Sequence, residues 1–162
     1  MSINKNLPHV LVLPEDAADS ELAISFLLSV DQQNQMRVLP VARGWKKVFE
    51  LFKSDHIAEM NRYPDRFMVL LIDFDGKVEF KLRFGKKFIP EDLADRVFVL
   101  GTLTNPEDLK KAKLGSYETI GSVLAKECRE ETYTTSGWGH DLLQHNADEL
   151  DRLRQRVRSI LF

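Results

Sequence analysis

FMVLLIDFDG, residues 67–76, gives the clearest indication of the fold in this sequence. Its first six residues form the most apolar run in the chain, and Asp73 ends that run abruptly. A short apolar run with a polar residue directly behind it is typical of a buried central strand in a parallel sheet. Similar runs lie at residues 9–13, 37–41 and 96–100, and we expect them to form the neighbouring strands.

Amphipathic patterns separate these runs. Apolar residues recur at helical spacing from Asp19 to about residue 30, with Asp19 or Ser20 as N-cap, and again over residues 45–60. Two more helices are predicted over residues 106–113 and 117–131. Strands that alternate with helices favour an α/β fold, with a mainly parallel sheet of four to five strands and helices on both faces, as in Rossmann-like proteins. Pro40 indicates an edge position for the second strand.

The segment that follows Gly76 has a two-residue period. Val78, Phe80, Leu82 and Phe84 alternate with charged residues, which predicts a half-buried strand. An irregular connector is the alternative interpretation. This segment would supply the fifth strand of the predicted sheet.

Size and composition indicate one domain over residues 1–162, with a core over about residues 9–131 and a C-terminal helix over about residues 141–160 that packs on the sheet. Hydrophobic residues make up 43% of the chain, and no stretch reaches the roughly 20 apolar residues that span a bilayer. The N-terminus lacks an export signal, so we expect a cytoplasmic protein without a membrane partner. The segment over residues 132–139, which contains YTTSGWG, predicts a flexible loop.

Acidic residues follow two of the predicted strands. Glu15 comes two residues after the first strand, and Asp73 and Asp75 directly follow the central one. Ligands of parallel sheets bind beyond the carboxyl ends of the strands, so these carboxylates are expected in one crevice. Carboxylates that crowd together repel one another, and a hard cation such as Mg²⁺ (or Mn²⁺) relieves that repulsion.

Glu15 with Asp19 at a strand-to-helix junction, followed by IDFDG after a hydrophobic strand, resembles the Toprim domain over about residues 9–110. Toprim domains occur in primases, topoisomerases, small RNA-maturing nucleases and the overcoming-lysogenization-defect nucleases. The resemblance implies Mg²⁺-dependent phosphodiester chemistry on nucleic acid. It also implies that Glu15 is a general acid/base or metal ligand, that Asp73 and Asp75 are metal ligands, and that Asp19 is a ligand of a second ion. Asp16 stands where the nuclease-like branches often have glycine.

Other functions fit the same acidic residues. The acids after the first strand could cap a helix, and Asp73 and Asp75 could shape a turn, which would leave a catalytically silent Toprim-like interaction module. DFDG also resembles the nucleophile motif of haloacid-dehalogenase-like phosphatases. In that motif the first Asp attacks phosphate and the second protonates the leaving group. The motif normally opens its domain, whereas here two strand and helix units precede it.

Basic side chains lie directly after the acidic pair, which predicts contacts to the phosphates of DNA or RNA. They are Lys77, Lys81, Arg83, Lys86 and Lys87. The alternative is a solvated surface. The chain has no GxxxxGK[ST] loop, so a partner protein would supply any ATPase activity or target choice. The apolar C-terminus, residues 160–162, could pack on such a partner or on a second copy as a homodimer.

Three aromatic and histidine positions have no role that the sequence assigns. His140 and His145 lie five residues apart without cysteine or carboxylate at metal spacing, which argues against zinc. Tyr117 would approach the predicted crevice if the helix that it opens points toward it.

Glu107, which follows the strand at residues 96–100, is a further acid that could join the metal ligands.

Overall fold

The computed structural model describes residues 3–162 and arranges them around a parallel sheet. The strands are β1 (His9–Pro14), β2 (Met36–Val38), β3 (Arg66–Leu71) and β4 (Val97–Leu100). Their order across the sheet is β2-β1-β3-β4, and every pairing is parallel. This confirms the predicted α/β fold with four strands, and it places β2 at an edge, as Pro40 predicts.

Helices connect the strands and follow the last one. They are α1 (Ala17–Leu27), α2 (Trp45–Leu51), α3 (Ile57–Arg62), α4 (Val78–Lys86), α5 (Pro106–Lys111), α6 (Tyr117–Glu130) and α7 (Ala147–Leu161). One turn of π-helix, Phe52–His56, joins α2 to α3, so residues 45–62 form one continuous helical stretch. Not one of the described helices combines the length and apolar character that crossing a membrane requires.

The sheet separates two hydrophobic cores because neighbouring side chains of a strand point to opposite faces. Val10 and Val12 of β1 face α1, α6 and α7 in the first core. Leu11 and Leu13 face the second core, which Phe49 and Phe52 fill from the α2 side. The result is three layers, with helices on both faces of the sheet.

The predicted strand over residues 78–84 is wrong, because this segment forms helix α4. Val78, Lys81 and Phe84 lie three residues apart on the buried side of the helix, whereas Phe80 and Leu82 are exposed at 55% and 39%. The two-residue alternation therefore does not correspond to an inner and an outer face. Gly85 of α4 has no side chain, so the Phe49 ring of α2 lies directly against the backbone of α4 at this position.

The C-terminal helix packs on the sheet as predicted, but it begins at Ala147 rather than near residue 141. Its side chains satisfy backbone groups of the edge strand β4. Glu149 accepts a hydrogen bond from Val99 N, and Arg152 donates to the carbonyl of Val97. Asn146, just before the helix, bonds both backbone groups of Gly101. Covering an edge strand in this way removes a surface that would otherwise pair with another chain.

The last three residues belong largely to the protein's own core. Leu161 is buried, and Ile160 and Phe162 are half-buried and pack against the first core. The apolar C-terminus that we expected to meet a partner or a second copy is therefore mostly used within the fold.

Candidate metal centre

The centre forms where β1 and β3 end side by side. Pro14 pairs with Leu71 in the sheet, and Glu15 N donates to the Leu71 carbonyl at 2.9 Å. The residues that follow the two strands are therefore direct neighbours, although 58 positions separate Glu15 from Asp73 in the chain. This neighbourhood is the geometric premise of the predicted metal site.

Three carboxylates converge at this edge: those of Glu15, Asp19 and Asp73. One oxygen from each lies within 4.8 Å of the others, close enough for a single metal ion to contact all three. The Glu15 side chain crosses from β1 to the end of β3, where its Oε2 accepts a hydrogen bond from Asp73 N at 2.6 Å. These residues could therefore hold a metal ion.

Asp19 joins the cluster because Asp16, and not Asp19 or Ser20 as we predicted, caps helix α1. Asp16 Oδ1 accepts hydrogen bonds from Ala18 N and Asp19 N. Asp19 is then in the first helical turn, and its side chain points inward with 1% exposure. The helix-cap interpretation of the acidic residues after β1 is right for Asp16 alone.

The buried oxygens of this cluster lack hydrogen-bond donors. Both carboxylate oxygens of Asp19 and Oδ1 of Asp73 are buried without a partner among the described residues. More than nine in ten buried polar groups in proteins are hydrogen-bonded, so such oxygens call for an explanation. A cation held between the carboxylates would supply the missing partner.

Burial also changes the protonation of the cluster. Loss of water raises the pKa of Asp19 and of Asp73, since a buried charge is poorly solvated. The facing Asp73 raises the pKa of Asp19 further, whereas a hydrogen bond with Asp19 opposes the rise at Asp73. Burial raises the pKa of Glu15 too, although the hydrogen bond from Asp73 N and the nearby Lys81 ammonium oppose that rise. Metal binding must displace any proton that these groups share.

Asp75, which we predicted as a ligand, is not part of the cluster. Its φ of 50° and that of Gly76, 75°, turn the chain sharply from β3 into α4. The carboxylate forms an ion pair with Lys81, whose Nζ lies 2.6 Å from Asp75 Oδ2. The structure thus brings three of the four predicted metal ligands together and gives the fourth an internal partner.

The predicted basic residues lie along α4. Lys77 precedes the helix at the carboxyl edge of the sheet, and Lys81 is buried. Arg83, Lys86 and Lys87 are exposed farther along, toward the other end of the helix. Only Lys77 and Lys81 therefore lie next to the acidic cluster, and Lys81 is engaged within the protein.

Helix α6 opens at the same edge, which places Tyr117 near the acids. Burial and the negative charges of Glu107, Glu21 and Asp16 raise the pKa of Tyr117 to about 12. The Lys110 ammonium lies 3.8 Å from the centre of its ring. Glu107 itself is exposed and does not belong to the cluster of possible ligands in the part of the chain that the structure describes.

The remaining candidate residues have structural contacts. His140 Nδ1 accepts a hydrogen bond from Leu142 N, and His145 Nε2 lies 2.7 Å from the Gly101 carbonyl. Trp138 is buried and donates to the Leu124 carbonyl. Cys128 is fully buried, and burial raises the pKa of its thiol. His145 Nδ1 has no hydrogen-bond partner among residues 3–162, and its ring packs edge-on against Phe74.

Comparisons with protein-family models, with curated proteins and with solved structures find no match for this chain.

Proposed function

We propose that this chain is a Toprim-like protein that binds Mg²⁺ or Mn²⁺ through Glu15, Asp19 and Asp73 and cleaves phosphodiester bonds of nucleic acid. The observation that carries the proposal is the buried, donor-free pair Asp19 and Asp73 within reach of Glu15. An acidic helix cap would not require it, because Asp16 already performs that role.

The donor set suits a hard divalent ion. All three side chains offer carboxylate oxygens, which Mg²⁺ and Mn²⁺ prefer, and neither cysteine nor histidine takes part. Mg²⁺ in proteins is typically held by one or two carboxylates and keeps several waters. Glu15 is only half-buried, so the site opens toward solvent on that side.

The centre lies where a substrate could reach it from solvent. Ligands of open parallel sheets bind beyond the carboxyl ends of the strands, and the cluster lies there between β1 and β3. A bound Mg²⁺ would supply charge stabilisation at a phosphoryl oxygen and activation of water. The protein's own groups orient that chemistry, since Asp73 N fixes Glu15 and the first turn of α1 fixes Asp19.

Cations for the nucleic-acid backbone extend from the centre along α4. Lys77, Arg83, Lys86 and Lys87 are exposed on or just before α4, and none of them forms an ion pair within residues 3–162. Phosphate contacts of this kind position DNA or RNA without reading its sequence. Target choice would then come from a partner protein.

Metal binding is tested by thermal unfolding with and without Mg²⁺ or Mn²⁺. Ions that bind the folded protein stabilise it, so the melting temperature of the wild type should rise with ion concentration. Asp73→Asn should abolish that rise, whereas the exposed Asp92→Asn should retain it. A wild-type melting temperature that changes with neither Mg²⁺ nor Mn²⁺ would refute the proposed centre.

Catalysis is tested separately, with single- and double-stranded DNA and RNA as substrates. Cleavage that requires Mg²⁺ or Mn²⁺ and disappears in Asp73→Asn would support the nuclease. A protein that the ions stabilise but that cleaves none of these substrates would be the catalytically silent module instead.

The phosphatase alternative has less support from the geometry. It needs the second aspartate of the motif to reach the leaving group, but Asp75 is held by Lys81. Hydrolysis of a small phosphomonoester that survives Asp19→Asn would favour it over the nuclease.

A further inference from the structure

Lys81 is a buried lysine beside the metal centre. Its side chain is 3% exposed, and Nζ donates to the Asp73 carbonyl at 2.7 Å and to Asp75 Oδ2 at 2.6 Å. The indole ring of Trp45 lies 4.7 Å from the same nitrogen. The ammonium is therefore enclosed between the turn after β3 and helix α2.

Such burial requires strong compensation, because moving an ammonium out of water costs several kcal/mol. Two hydrogen bonds in which the donor is charged, one of them to a carboxylate, supply most of it. The face of an aromatic ring adds a cation–π interaction. Two of its three donors are engaged, one by the main-chain carbonyl of Asp73 and one by the Asp75 carboxylate, and the surrounding burial holds Lys81 Nζ at that position.

That position determines how many carboxylates remain for metal. Four acidic side chains surround the edge besides the helix cap Asp16, namely Glu15, Asp19, Asp73 and Asp75. Four carboxylates carry the charge that two divalent ions neutralise. Lys81 neutralises Asp75 within the protein, and the other three then surround one site.

We propose that the Lys81 ammonium takes the place of a second metal ion, so that the centre holds a single divalent cation. The inference rests on the proposed function, since it presupposes that the acids bind metal. Asp75 is then a partner of Lys81 and not a metal ligand, and Lys81 is a positioning residue that holds Asp73 through its carbonyl oxygen.

The number of bound ions tests this inference in the full chain. Mn²⁺ is titrated into wild-type protein, and the free ion is measured by electron paramagnetic resonance, which gives the bound number directly. We expect one Mn²⁺ for the wild type and two for Lys81→Met, in which Asp75 is released. Arg83→Met removes an exposed cation of the same helix and should leave one.

Asp75→Asn gives an independent measurement if Lys81→Met fails to fold. Among residues 3–162 the Asp75 carboxylate pairs with Lys81 alone, so Asp75 should be dispensable and this variant should bind one Mn²⁺ with an affinity within about tenfold of the wild type. Loss of the ion in Asp75→Asn would overturn the inference.

The outcomes separate the two proposals. Two Mn²⁺ ions on the wild type, or one on a folded Lys81→Met, would overturn the role of Lys81 and leave the metal-dependent function intact. A wild type that binds no Mn²⁺ would refute the metal centre itself. Absence of nuclease activity in a protein with one bound ion would refute catalysis but not the single-ion site.

Discussion

Two regions of this protein bury acidic side chains, and they treat the charge in opposite ways. Glu127 of α6 is 3% exposed, and its carboxylate accepts hydrogen bonds from Thr134 N, Thr134 Oγ1 and Trp138 N. Asp19 and Asp73 are buried to a similar degree, yet three of their four oxygens have no donor. The protein's own groups satisfy the carboxylate of the first region, whereas the carboxylates of the second region have oxygens that a cation could contact.

The difference lies in what surrounds each carboxylate. The loop over residues 131–140 wraps around Glu127 and presents its backbone N–H groups to it. At the carboxyl edge, the neighbours of Asp19 and Asp73 are other carboxylates. Burial of an acid is thus no evidence for a binding site by itself, and the absence of donors is the informative feature.

The largest effect on stability is expected for Glu127→Ala. It leaves two backbone N–H groups and the Thr134 hydroxyl without their acceptor, which should lower the free energy of unfolding by about 4 kcal/mol. Urea unfolding followed by circular dichroism measures the loss. The neighbouring Glu130→Ala, at an exposed position, should change it by less than about 0.5 kcal/mol. Equal losses in the two variants would show that the loop does not depend on Glu127.

Asp19→Asn should raise the free energy of unfolding of the metal-free protein, whereas Glu127→Ala lowers it. Asparagine cannot ionise, so the free energy needed to keep this buried carboxyl protonated at neutral pH no longer opposes folding, and the protein should be more stable in EDTA. It should also abolish the stabilisation by Mg²⁺, which is about 2.7 kcal/mol for the wild type at 100 times the dissociation constant.

The same unfolding measurement, with and without Mg²⁺, checks both expectations. Glu21→Gln changes an exposed acid of the same helix and should keep the full Mg²⁺ effect. A variant of Asp19 that is less stable in EDTA would mean that its carboxylate is satisfied within the protein, as that of Glu127 is.

Gly137→Ala is expected to loosen the region around Glu127 by a smaller amount. A Cβ at this position would meet the Glu127 carboxylate, which the surrounding donors hold in place. Such overpacking should lower the free energy of unfolding by about 2 kcal/mol and leave Mg²⁺ stabilisation unchanged. Thr135→Ala, at an exposed position of the same loop, is the matched control. A Gly137→Ala protein that also lost the Mg²⁺ effect would show that the two regions are coupled.

The last prediction concerns the direction of the pH dependence of the metal-free protein. Burial raises the pKa of Asp19 and Asp73 above the usual 3.8, so their contribution to stability is complete below that pH. As the pH rises from about 4 to about 7, these groups ionise in the unfolded chain while burial keeps them protonated in the folded one, so the free energy of unfolding should fall. In EDTA, the free energy of unfolding of Asp19→Asn should fall less steeply with pH than that of the wild type, as measured by urea unfolding at several pH values. Equal slopes for the two proteins would contradict this prediction.

Local sequence patterns are sufficient to predict the parallel sheet and the edge at which the acidic residues lie. Apolar runs that end at Glu15 and Asp73 identify parallel strands, and parallel strands place the following residues at one edge. These inferences depend on local pattern and on a general property of the fold. The helices over residues 45–60, 106–113 and 117–131 were predictable for the same reason, since their periodicity is contained in the segment itself.

The partner of each acidic side chain, by contrast, depends on how the helices pack against the sheet. The pattern of residues 78–84 indicated a strand, but packing against Phe49 makes it a helix and brings Lys81 to Asp75. The loop predicted to be flexible is fixed by Glu127 on a preceding helix. Local sequence cannot specify such partners, because the free energy of a buried charge depends on the groups that packing brings near it, and these lie far away in the chain.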